Sequence, residues 1–144
     1  MPRPVKCGLI QMENKLDTSA SCEEHRKAMI DAHLPYIDRA GEQGVQILCF
    51  QEIFTGPYFC PSQDKKWYGL AEAIPDGPTT QLMCEYAKKY NMVIVVPIYE
   101  EAMAGVYYNT AAVIDADGTY LGKYRKNHIP VSYTHLRAHE TTLD

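Results

Sequence analysis

Two residues carry the clearest chemical signal in the 144-residue chain, Glu52 and Lys126. Glu52 follows the run Gln46-Ile47-Leu48-Cys49-Phe50-Gln51, which reads as a buried strand. A carboxylate at the C-terminal end of such a strand sits where open α/β sheets build their sites. Partial desolvation there would raise its pKa toward that of a working general base. The same position also suits a solvated loop acid or an ion-pair partner. Lys126 closes the strand-like segment Tyr120-Leu121-Gly122-Lys123-Tyr124-Arg125 and is followed by Asn127 and His128. An ammonium fixed in a dry pocket stabilises the oxyanion of a tetrahedral intermediate. The other reading of Lys126 is one more charge in a basic surface run. His128 could support Lys126 or simply pack, and takes no catalytic role here.

A third kind of chemistry is offered by cysteine. The five cysteines are Cys7, Cys22, Cys49, Cys60 and Cys84. Their number is odd, their spacing wide, and no CxxC occurs, which argues against a disulfide framework or a structural zinc site. Cys7 and Cys49 fall in strand patterns and read as small buried hydrophobes. Cys60, in Tyr58-Phe59-Cys60-Pro61, has no basic neighbour before Lys65, so nothing local argues for a lowered thiol pKa.

The elements that must position these groups follow from periodicity. Residues 5–11 read as a first strand. A helix is predicted over 23–40, capped by Ser21 or Cys22, with Glu23 and Glu24 at its positive end. Its apolar positions are Ala28, Met29, Ala32, Leu34, Ile37 and Ala40, Pro35 predicts a kink or break, and Gly41 and Gly44 end it. Residues 45–50 are apolar on both faces, as a buried parallel strand is. A short helix is predicted over 67–73, a turn over 75–78, and a helix from a Thr79 or Thr80 cap to about Tyr90. Strands follow at 92–98, 106–114 and 119–124, the last two joined by the turn signal Asp115-Ala116-Asp117-Gly118. The order β-α-β-α-β plus a hairpin gives an α/β class with helices on one face of a sheet.

These segments together resemble the nitrilase superfamily of carbon–nitrogen hydrolases. Cys49-Phe50-Gln51-Glu52 with Phe54-Thr55-Gly56-Pro57-Tyr58 resembles that family's glutamate motif. Gly122-Lys123-Tyr124-Arg125-Lys126-Asn127-His128-Ile129-Pro130 resembles its lysine motif. Asp76-Gly77-Pro78-Thr79-Thr80, Val95-Val96-Pro97-Ile98-Tyr99-Glu100 and Tyr108-Asn109-Thr110-Ala111 fall where members have similar segments. Within the superfamily the chain looks most like the β-ureidopropionase and N-carbamoyl-amidase branch, though an aliphatic amidase or acyl-transfer branch would use the same two residues.

The resemblance implies the N-terminal half of an α-β-β-α sandwich that pairs into a larger one on dimerisation, hence a homo-oligomeric parent. It implies that Glu52 is the general base that takes the proton of a cysteine thiol and that Lys126 stabilises the tetrahedral intermediate. A cysteine on a later strand-to-helix elbow would attack the carbamoyl or amide carbon. Ammonia would leave, and water would hydrolyse the thioester-type intermediate. The substrate would be a small amide or an N-carbamoyl amine such as an N-carbamoyl β-amino acid. No metal or organic cofactor is implied. No cysteine follows Lys126 in these 144 residues, so the chain by itself is expected to be a catalytically inactive fragment. The alternative is a non-catalytic assembly or binding module built on the same half-fold.

Residues 131–144 do not continue the domain that spans 1–130. Val131-Ser132-Tyr133-Thr134-His135-Leu136-Arg137-Ala138-His139-Glu140-Thr141 matches the translation of a transposase-type sequencing adapter, so the tail is expected to be non-native, the other reading being a short native tail. The metal-like set His128, His135 and His139 draws two of its three members from it. Fourteen basic and 18 acidic residues are interspersed, giving a net charge of −4, unlike the basic stripe of a nucleic-acid binder. No apolar run approaches a membrane span and the start lacks a secretory apolar core, so a cytoplasmic location is expected. A nucleotide-binding α/β domain would show GxGxxG or GxxxxGK[ST], and neither occurs. Without a second sheet, the predicted strands would expose one apolar face and open edges, which predicts poor solubility, aggregation or dependence on a partner.

Overall fold

The computed structural model describes residues 2–62 and 64–129. The adapter-like segment, with His135 and His139, lies outside the described residues. Five strands, β1 (Cys7–Ile10), β2 (Ile47–Phe50), β3 (Val93–Met103), β4 (Val106–Ile114) and β5 (Tyr120–Arg125), form one sheet in chain order. β1, β2 and β3 are parallel to one another, while β4 and β5 add antiparallel. Parallel neighbours need crossovers. Helix α1 (Cys22–Glu42) supplies the first, and a long segment ending in helix α2 (Pro78–Tyr90) supplies the second.

Helix α1 begins with a capping box: Ser21 Oγ accepts from the Glu24 N–H, and the Glu24 carboxylate accepts from the Ser21 N–H. Its buried stripe is His25, Met29, His33 and Ile37, one residue per turn. Two of the four are histidines, which an apolar count misses. The predicted break at Pro35 does not occur, since α1 runs through it. Pro35 and Asp31, whose carbonyl loses its N–H donor, both face solvent, so water replaces the missing bond while Met29, His33 and Ile37 hold the helix to the sheet.

The start of α2 also differs from expectation. Gly77 is the N-cap and Pro78 the first helical residue, a position where a missing N–H costs nothing. Thr79 and Thr80 are buried within the first turn instead. Thr79 donates its N–H (2.9 Å) and its hydroxyl (2.6 Å) to Glu72, which does the work of a cap from outside the helix. The short helix predicted over 67–73 is a 3-10 turn, Lys65–Leu70, capped by Asp64.

The two faces of the sheet are unequal. Ile10, Leu48, Phe50, Ile94, Val96, Ile98, Ala112 and Ile114 are buried with Ile37, Met83 and Ala87 of the helices in a single core. The alternate residues form the opposite face. Leu9, Cys49, Val95, Val113 and Gly122 are consecutive register partners across all five strands, and Leu9 is 69% exposed. Cys7 is exposed and Cys49 half-buried, contrary to the expectation for both. Their strands were read correctly, but alternation puts these two side chains on the half-open face.

Candidate active site

Glu52 stands in the turn that follows β2. The flanking residues fix that turn. Gln51 clamps the exit of β1, accepting the Met12 N–H (3.0 Å) and donating to the Met12 carbonyl (2.8 Å). Phe54 is fully buried against Phe50 and His33, and its N–H donates to the Pro97 carbonyl of β3 (3.2 Å). Between these anchors Ile53 adopts φ +46°, a region that β-branched residues rarely enter. Such strain tends to gather at functional sites, where neighbouring structure enforces it.

Lys126 lies directly after β5, and its N–H continues the ladder by donating to the Asn109 carbonyl (2.9 Å). Its ammonium donates to Glu52 Oε1 at 2.6 Å. The Asn109 side-chain amide donates to the same oxygen, also at 2.6 Å. The residues singled out at 52 and 126 are therefore in contact, 74 positions apart in the chain. Asn109 joins them: its amide holds one and its carbonyl the other. The sequence showed Asn109 only as part of a family-like segment, because an uncharged amide inside a strand carries no signal until register is known.

The electrostatics of Glu52 run opposite to expectation. Its carboxyl is held below the ordinary glutamate value, first by the hydrogen bond from Lys126, with Asn109 and the Lys126 charge adding, while burial pushes the other way. The side chain is 45% exposed, so desolvation is too weak to overcome a cation at 2.6 Å. In this state Glu52 is an ionised ion-pair partner.

Cys60 lies within electrostatic reach of both residues, yet its thiol is pushed up, first by burial and further by the Glu52 charge, with Lys126 opposing. That is the wrong direction for a nucleophile. Among the aromatic residues beside the site, Trp67 is 1% exposed and belongs to a satellite core with Leu70 and Tyr99, while Phe59 and Tyr107 pack on it. Tyr107 stacks on Tyr68 at 4.7 Å, and Tyr58 is exposed. Among the described residues no group of three His, Cys, Asp or Glu side chains is placed to hold a metal ion, and no helix is long and apolar enough to cross a membrane.

A strand-end glutamate bonded to a lysine on the adjoining hairpin is set in a half sandwich with one helix-covered face, and the comparisons agree with this architecture. The carbon-nitrogen hydrolase family model matches residues 6–143, and the chain belongs to that family. Among its relatives, a beta-ureidopropionase of Arabidopsis thaliana is 44% identical over 131 residues, covering 90% of this chain and 32% of the relative. An N-carbamoylputrescine amidase of Solanum lycopersicum is 45% identical over 91 residues, covering 63% of this chain and 30% of the relative. A crystal structure of a carbon-nitrogen hydrolase from Helicobacter pylori G27 superimposes with a TM-score of 0.74 at 26% identity, over 88% of this chain and 40% of that one. The chain thus spans about a third of the length of the curated relatives it matches.

Proposed function

We propose that this chain carries the base and the oxyanion-stabilising cation of a hydrolase that cleaves a non-peptide carbon–nitrogen bond. The substrate is a small N-carbamoyl amine, first of all an N-carbamoyl β-amino acid. The observation that carries the reading is the Glu52–Lys126 contact, braced by Asn109. In the reaction Glu52 takes the thiol proton of a cysteine, and the sulfur attacks the carbamoyl carbon. Lys126 follows the charge onto the carbonyl oxygen, which frees Glu52 from the ion pair as its base strength is needed. The cysteine is supplied by polypeptide other than these 144 residues, which have none after Lys126. The chain by itself is inactive on this reading. The working protein is a homo-oligomer in the cytoplasm, acting without a cofactor.

The test is ammonia release by the full-length protein from N-carbamoyl β-amino acids, N-carbamoyl diamines and ω-amides. Glu52→Gln and Lys126→Met are each expected to lower kcat at least about 100-fold, as loss of a general base or an oxyanion donor does. Turnover that survives both substitutions would remove the reading. The half-open apolar sheet face favours one alternative, a non-catalytic assembly module, which full-length protein inert toward all three substrate classes would support.

A further inference from the structure

Behind the site, on the helix-covered side of the same strands, lies a buried ionic cluster that the reaction does not touch. Glu100 of β3 is fully buried. Its Oε1 accepts from Lys123 Nζ (2.5 Å) and Arg125 Nη2 (2.7 Å), and its Oε2 from Arg125 Nε (2.9 Å) and Thr110 Oγ1 (2.7 Å). Thr110 and Arg125 are register partners on β4 and β5. Thr110 immediately follows Asn109, and Arg125 immediately precedes Lys126. Because side chains alternate, a rung whose Thr110 and Arg125 reach back to Glu100 presents Asn109 and Lys126 forward to Glu52.

β5 needs such a restraint. It has six residues, is the last strand of the described sheet, and exposes Leu121 and Tyr124. A register shift already interrupts its pairing with β4 between Val113 and Ile114, beside Gly122 at φ +149°. A one-residue slip would turn Lys126 to the helix side and bring Arg125 to Glu52. It would also strip Glu100 of its cations and leave a buried charge uncompensated, which is what makes the slip unfavourable. For stability alone such a cluster is a poor choice, since apolar residues of equal volume often serve as well. What it supplies is position.

We propose that Glu100 is a positioning residue, pinning β4 and β5 from behind in the one register that aims Asn109 and Lys126 at Glu52. The inference rests on the reading above only in treating Glu52 and Lys126 as the working pair, and its test reads a titration rather than turnover. The carboxyl carbons of the full-length protein, labelled with 13C at glutamate, are followed by NMR against pH. In the unsubstituted chain Glu52 is expected to titrate below the ordinary glutamate value of about 4.3, because Lys126 and Asn109 both donate to its carboxylate. In Glu100→Gln it is expected to rise toward that value, with Lys126→Met marking the position of full release. Removal of a neighbouring negative charge would, by its field alone, move Glu52 the other way, so the direction separates positioning from electrostatics. A folded Glu100→Gln chain whose Glu52 titrates unchanged or lower, even with a reduced Tm, overturns the proposal. If Glu100→Gln does not fold, Arg125→Lys decides: it keeps the charge and loses the fork. A partial rise of Glu52 is then expected, and an unmoved Glu52 overturns the proposal.

Discussion

At the scale of single residues, Glu52 and Lys126 form an ion pair that Asn109 braces through the same carboxylate oxygen. Charge at strand ends, in long family-like contexts, makes Glu52 and Lys126 candidates from sequence, and the structure brings the two into contact. Asn109 emerges only when β4 and β5 are paired and its amide falls 2.6 Å from Glu52 Oε1. The sign of the Glu52 shift was misread for a related reason: strand-end position suggests desolvation, but the partner 74 residues away decides the balance. Asn109→Ala removes one of the two donors, so the Glu52 titration is expected to rise, by less than in Lys126→Met, measured by the same carboxyl NMR. The consequence for stability has a definite direction. A carboxyl that titrates lower folded than unfolded contributes fully above the unfolded value of about 4.3 and loses that contribution as pH falls through the folded value. With side chains 32% and 45% exposed, this pair contributes at most about 1 kcal/mol.

At the scale of elements, period placed both helices and all five strands, capping chemistry placed the start of α1, and the errors are local. Pro35 did not break α1 because its side of the helix is wet. Thr79 did not cap α2 because Glu72, from a preceding loop, reaches its donors first. Gly41 is the instructive case, since it was read as a helix stop but lies inside α1, whose last residue is Glu42. A Cβ built on Gly41 would meet Cγ of Tyr90, the last residue of α2, at 2.2 Å. Helix propensity alone would favour alanine there by about 1 kcal/mol. The packing predicts the opposite: Gly41→Ala is expected to lower the urea midpoint, with net destabilisation of about 1–3 kcal/mol from overpacking. A raised midpoint would show that the Tyr90 ring swings clear. The Glu100 cluster makes a second element-scale prediction. Burial pushes this carboxyl up, but the hydrogen bonds of Arg125, Lys123 and Thr110 outweigh it and bring the pKa down to about 2. Its contribution is therefore complete above about 4.3 and is lost as pH falls toward 2. Thermal scans between pH 5 and about 2 should show a loss of Tm that is much smaller in Glu100→Gln.

At the scale of the whole molecule, the alternation that buries Leu48, Phe50, Ile94 and Ile98 under two helices leaves Leu9, Ile47, Cys49, Val95 and Val113 on the far side, with Leu9 69% and Ile47 37% exposed. Continuous apolar runs in β2 and β3 announced strands meant to be covered on both faces, and that much was readable from the sequence. Which face stays open was not, because it depends on the side that α1 and α2 take. A contiguous apolar sheet face of this kind drives association unless something covers it. The 144-residue chain is accordingly expected to sediment as concentration-dependent multimers at micromolar levels. Leu9→Lys combined with Val113→Lys places two like charges on the central register row, so it should shift the chain toward monomer. Each substitution removes little helix-side packing, so the far-ultraviolet signal should be retained. Sedimentation velocity on both proteins settles the point. A monomeric unsubstituted chain would show that the face is protected, and a double variant that associates unchanged would place the contact elsewhere, along the outer edge of β1 or β5 in the described sheet.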